Sequence, residues 1–116
     1  MRPKALALAA AIAVSAVFFI DVCGLVFGCG CRSLWAGASF ACNVHHAVGP
    51  HCPWCVHPAA AGAVAFAAVA LVQALILLGP GRAGLPPRFA VALLSFPVTA
   101  GLVGTIQAIL WDYWAR

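Results

Sequence analysis

Three apolar runs, Ala5 to about Gly28, Ala59 to Gly79 and Phe89 to Trp111, are each long enough to cross a hydrocarbon core. Such a crossing takes about 20 helical residues at about 1.5 Å of rise apiece. Inside lipid no water satisfies the backbone N–H and C=O groups, so each run must close its own hydrogen bonds as an α-helix. Charged residues make up 7% of the chain, far below the roughly 25% of a soluble domain. The sequence therefore predicts an all-α membrane protein with three transmembrane helices and a Cys/His-rich exoplasmic loop between helices 1 and 2. The expected layout is a single integral membrane domain over 1–116, with helices at about 5–28, 59–79 and 89–111, the exoplasmic loop at 29–58 and a cytoplasmic loop at 80–88.

The first run follows Arg2 and Lys4 and contains the small-residue pattern Val14, Ser15, Ala16, which also suits a secretory signal. Apolar residues continue through Ile20, past the roughly 7 to 15 residues of a signal core, so an uncleaved anchor is expected. Lipoprotein-type cleavage before Cys23 is disfavoured by Asp21 and Val22, which are not the small residues that such processing requires. Arg2, Lys4, Arg82 and Arg88 fall on one side of a three-span layout, whereas Arg32 and Arg116 fall on the other. The positive-inside rule then places the N-terminus and the Gly/Pro-rich second connection in the cytoplasm, giving a multi-pass protein of the bacterial inner (plasma) membrane with its Cys/His loop periplasmic or extracellular.

Pro58 suits the first turn of the second helix, and Trp111, Tyr113 and Trp114 suit an aromatic anchor at the outer membrane surface, with Trp35 and Trp54 in a similar role for the loop. Small residues recur along the second and third spans and predict close helix packing. Gln73 and Gln107 are expected to hydrogen-bond between helices, Ser95, Thr99 and Thr105 to the preceding turn, and Pro97 to kink the third helix. The only charged side chain within the runs is Asp21, close to the outer end of the first helix, so the spans contain no legible ion path.

Every cysteine and histidine of the chain lies between Cys23 and His57. In order they are Cys23, Cys29, Cys31, Cys42, His45, His46, His51, Cys52, Cys55 and His57. A loop this short cannot bury a core of its own, so ordering it requires a metal or disulfides. Two short pairs, Cys42-x-x-His45 and Cys52-x-x-Cys55, flank a hinge at Gly49 and Pro50, and two facing turns of this kind form the Cys3His set of a closed zinc site. Cys29, Cys31 and His51, with Asp21, Cys23 or His57, are candidates to complete a second site or replace a ligand. His46 and His57 are otherwise expected to be solvated or to support a ligand.

Zinc is the expected ion and copper the next, because thiolate and imidazole suit both, although Met1 is the only thioether. An iron–sulfur cluster ranks lower on an oxidising face. A c-type haem is not expected, because Val56 separates Cys55 from His57 and breaks the C-x-x-C-H pattern.

Two other readings use the same residues. Cys52-Pro53-Trp54-Cys55 resembles, over four residues, the Cys-Pro-aromatic-Cys active site of glutaredoxin-like proteins. That likeness implies a thiol–disulfide oxidoreductase in which Cys52 and Cys55 form the redox pair. Alternatively, six cysteines form three disulfides that staple the loop of a structural membrane subunit, at roughly 2 to 4 kcal/mol per bridge. The number of interleaved histidines favours metal over thiol exchange.

Hydrolytic chemistry has no support, since Asp21 and Asp112 are the only carboxylates and lie far apart in the chain. No clustered basic face suggests nucleic acid. The expected protein is thus a small integral membrane protein that binds a transition metal. It would serve metal handling or act as an accessory subunit of a membrane redox complex, with the lipid bilayer and a homo-oligomer or larger membrane complex as its surroundings.

Overall fold

The computed structural model describes residues 2–115, and these form helices and connecting turns. Helix α1 (Arg2–Phe27) is followed by a long connection with single 3-10 turns at Leu34–Ala36 and Asn43–His45. A short helix α2 (Pro53–Val56) leads through a π turn (Pro58–Gly62) into α3 (Ala63–Leu78), and α4 (Leu85–Leu110) ends in a 3-10 turn, Tyr113–Ala115. Three of these segments, Arg2–Phe27, Pro58–Leu78 and Leu85–Leu110, are long and apolar enough to span a membrane.

Helix ends follow local chemistry. Gly28 takes the left-handed conformation (φ 57°) and its N–H closes on the Gly24 carbonyl at 2.9 Å, a glycine stop for α1. At the other end of the bundle α4 begins four residues earlier than its apolar run suggests. Its first turn accommodates Pro86 and Pro87, because first-turn nitrogens have no intrahelical acceptor. The connection expected over 80–88 is accordingly shorter, and Arg88 belongs to the helix. Only 7% exposed, Arg88 donates to the carbonyl of Gly79 at 2.7 Å and meets that of Leu77 at 3.5 Å, so its charge serves the orphan carbonyls at the end of α3. Pro97 stands inside an unbroken α4.

Packing within the bundle is inverted relative to a soluble protein. Its interior is built from small residues, including Ala11 and Ser15 of α1, Ala65 of α3, and Ala92, Ala100 and Ala108 of α4. Large side chains such as Leu25, Leu71, Leu94, Leu102 and Ile109 face outward. Between helices in lipid there is no hydrophobic gain from burying leucine, and close approach of backbones supplies the attraction instead. Gly104 marks one such approach, because a Cβ there would stand 3.1 Å from the Trp54 ring and 3.2 Å from Val26.

Two glutamines tie the helices together. Gln73 Nε2 donates to Ser15 Oγ at 2.8 Å and to the Ala92 carbonyl at 3.2 Å, while Ser15 Oγ donates to the Ala11 carbonyl at 2.8 Å, so one side chain links α1, α3 and α4. Gln107 Nε2 donates to the Ala61 carbonyl at 3.0 Å. Gln73→Leu should lower the unfolding free energy in mixed micelles by about 0.6 to 1.7 kcal/mol, the range of such bonds in membrane helices. No change would show that packing alone holds the three helices.

Candidate metal centre

The cysteines enter one region from four stretches of chain. Cys23 lies near the end of α1, Cys29 and Cys31 just beyond its glycine stop, Cys42 ahead of the second 3-10 turn, and Cys52 and Cys55 at the start and within α2. Proline at the first position of α2 and the bond from Cys55 N–H to the Cys52 carbonyl (3.1 Å) wind the C-P-W-C segment into one helical turn. That turn aims both sulfurs the same way.

Tertiary bonds then fix this loop on the helices. Asn43 is the hub: its N–H donates to the Cys29 carbonyl at 2.7 Å and its Oδ1 accepts the Cys52 N–H at 2.7 Å. Its Nδ2 donates to Tyr113 Oη at 2.6 Å, and Tyr113 in turn donates to the Phe27 carbonyl at 2.7 Å. Trp54 inserts into the bundle, stacked on Phe19 with centroids 4.4 Å apart, and its Nε1 donates to Gln107 Oε1 at 2.6 Å. Ser33 donates to Asp21, which ties the segment after Cys31 to α1. Trp54 and Tyr113, each 5% exposed, are thus internal fixings and not the surface anchors that their composition suggests. The reason is that each has a buried partner for its polar atom.

The result is a single sulfur cluster. Cys23 Sγ lies 3.1 Å from Cys52 and 3.6 Å from Cys29, and Cys55 Sγ lies 3.4 Å from Cys42 and 3.7 Å from Cys31. All six cysteines are free thiols, at separations well beyond the roughly 2.05 Å of a disulfide. Four trios have all their sulfurs within 4.8 Å of one another: Cys23–Cys52–Cys55, Cys23–Cys29–Cys31, Cys29–Cys42–Cys52 and Cys31–Cys42–Cys55. Five of the six side chains are buried, with Cys55 half-buried.

So dense a group of thiols shares its protons unevenly. Hydrogen bonds from Cys23 and Cys52 draw the Cys29 and Cys55 thiols down to about 2, whereas burial pushes Cys42 up to about 11. A buried set of neighbouring thiols of this kind is a donor set suited to a soft cation.

Of the residues singled out from spacing, Cys42, Cys52, Cys55, Cys29 and Cys31 come together, but His45 and His51 do not join them. His45 Nε2 pairs with the Ser39 carbonyl at 2.9 Å and His51 Nε2 with the His46 carbonyl at 2.7 Å, both toward the exposed surface. His51 and His57 line a separate open cavity of about 140 Å³ beside Trp111 and Tyr113. The physical reason is the 3-10 turn, which starts at Asn43 and carries His45 away from the sulfur of Cys42. Cys23 takes the place that spacing gives to histidine. Its signal in the sequence is its position within a turn or two of Cys29 and Cys31, at the rim of the apolar run. Asn43, Tyr113 and Gly24 carry no such signal. A Cβ at Gly24 would overlap the Cys31 carbonyl oxygen, so only glycine lets the loop lie against α1 at this level.

Comparison with protein-family models, curated proteins and solved structures finds no match for this chain.

Two outcomes test this geometry. His45→Ala and His51→Ala should leave metal uptake by the purified protein unchanged, whereas Cys23→Ser should reduce it; the reverse pattern would restore the mixed Cys/His site. Asn43→Ala, which leaves Tyr113 Oη and the Cys52 N–H short of a partner, should cost about 1 to 3 kcal/mol. It should also speed alkylation of the buried thiols, and an unchanged alkylation rate would show that Asn43 does not hold the cluster closed.

Proposed function

We propose that this chain is a small integral membrane protein whose cysteine cluster binds a transition metal at the outer face of a bacterial plasma membrane, serving metal handling or supporting a membrane redox complex. The observation that carries this reading is the convergence of six sulfurs from residues up to 32 positions apart (Cys23 and Cys55) into trios within 4.8 Å. Burying free thiols side by side gains little by itself. A shared cation supplies the missing attraction, and its binding energy then contributes to the folding of a loop that has no large apolar core.

Orientation rests on charge. The end of the bundle that carries Arg2, Lys4, Arg82 and Arg88 is the cytoplasmic one by the positive-inside rule, and this puts the cluster outside. Phe40 (88% exposed) and Val48 (86%) stand bare in the loop and support association with a second copy or a larger membrane protein.

A second reading, thiol–disulfide exchange through Cys52 and Cys55, is favoured by the partial exposure of Cys55 beside buried Cys52, because an exchanging thiolate must be reachable. Metal analysis of detergent-purified protein, with thiols counted before and after chelation and after reduction, separates the readings. Metal at stoichiometric level with six thiols titratable after chelation supports metal binding; no metal and no free thiols supports a stapled loop. A metal-free Cys52/Cys55 pair that equilibrates with an external dithiol supports exchange.

Because ligand sulfurs bind metal as thiolates, loading should release protons and affinity should fall as the pH is lowered. A metal content that is the same at neutral and acidic pH would contradict thiolate ligation.

A further inference from the structure

The four sulfur trios obey a rule that a single-ion site does not need. Each of the six sulfurs belongs to two trios, and any two trios share one sulfur. Cys23 joins Cys23–Cys52–Cys55 to Cys23–Cys29–Cys31, Cys42 joins the other two, and Cys29, Cys31, Cys52 and Cys55 make the four remaining links. The pairs that no trio joins are Cys23/Cys42, Cys29/Cys55 and Cys31/Cys52. Six points with this connectivity are the corners of an octahedron, and the four trios are alternate faces of it.

We infer that the six sulfurs are the shell of a cluster of four Cu(I) ions, one capping each trio, with every thiolate bridging two ions. This rests on the metal-binding reading and names the ion, its number and its coordination.

Coordination preference selects the metal. Zinc in a closed site takes four ligands in a tetrahedron, and at a bond of about 2.3 Å this brings all four sulfurs to within about 3.8 Å of one another. Among the described residues the mutually close groups are trios, none a foursome. Iron–sulfur clusters place inorganic sulfide between the irons, and their four cysteines stand apart around the outside. Cu(I) is soft, closed-shell and satisfied by three thiolates, so a trio is a complete site for it.

Charge points the same way. If all six sulfurs are thiolates, one divalent ion leaves four uncompensated negative charges in a largely buried site, whereas four monovalent ions leave two. Isolated buried charge is expensive, so the filled shell is the better balanced one. Burial of five of the six cysteines also supplies what thioether ligands would otherwise give Cu(I) on an oxidising face, protection from water and oxygen. Half-buried Cys55, a member of two trios, is the sulfur through which ions reach the interior.

The test is anaerobic titration of the reduced, detergent-solubilised full chain with Cu(I) delivered as its acetonitrile complex. Uptake is followed by a competing Cu(I) chelator and by the visible emission that solvent-shielded copper–thiolate clusters show under ultraviolet light. Four ions per chain, taken up cooperatively and with emission rising in step, is the expected result. Saturation at three ions or fewer, or emission absent at four, overturns the cluster. In Cys42→Ser, which removes a sulfur shared by two trios, capacity should fall from four to two or fewer with the helical circular dichroism retained; retained capacity for four overturns the bridging role. If Cys42→Ser loses its helical signal, the emission and stoichiometry of the unaltered chain decide. A chain that instead binds one zinc tightly disproves the copper cluster and leaves the metal-binding reading standing. Binding of neither Cu(I) nor zinc by the fully reduced chain overturns both.

Discussion

One asparagine, through its backbone N–H and its side-chain amide, is the hub that ties the loop to the bundle. Asn43 engages the Cys29 carbonyl, the Cys52 N–H and the Tyr113 hydroxyl together, and Tyr113 passes the connection on to the Phe27 carbonyl. Three segments distant in sequence thus meet at a residue that has neither the charge nor the bulk to attract notice. Each bond is individually modest, but all are buried, and breaking one strands a donor or acceptor away from water. The positions of Cys29, Cys42 and Cys52 follow from this network, since each is either bonded to Asn43 through its backbone or adjacent to it.

The three-helix bundle explains why such a network can be built there. Small residues inside let the three helices approach closely, and the gap left near the end of the bundle by Gly104 receives Trp54. That indole sits one residue from Pro53 and is flanked in sequence by Cys52 and Cys55, so seating it between Phe19, Phe27 and Gln107 also seats the two sulfurs. The bundle therefore provides the floor, and the loop adds a lid of backbone turns that brings the six sulfurs together.

Much of the architecture was legible because lipid leaves the backbone few choices: the length and apolarity of three runs dictate three helices. The candidate site was legible only in part. Crowding of cysteines announced a cluster, and Cys52-x-x-Cys55 was readable as a turn that aims two sulfurs together. The x-x spacing of Cys42 and His45 misled, since a 3-10 turn at that point directs the imidazole to the Ser39 carbonyl instead. Spacing within a segment says how two side chains diverge locally, but partners such as Cys23 and Cys52 are selected by long-range packing that no local pattern records. Tyr113 and Trp54 illustrate the same limit: aromatic residues near a span end suit the interface by composition, and only the position of Asn43 and Gln107 draws them inward.

X-ray absorption at the edge of whichever transition metal the purified full chain carries addresses the heart of this account, the convergence of sulfur without imidazole. An all-sulfur first shell, with no outer-shell scattering from imidazole rings, is the predicted spectrum. Nitrogen in the first shell with imidazole scattering behind it would contradict the cysteine-only centre.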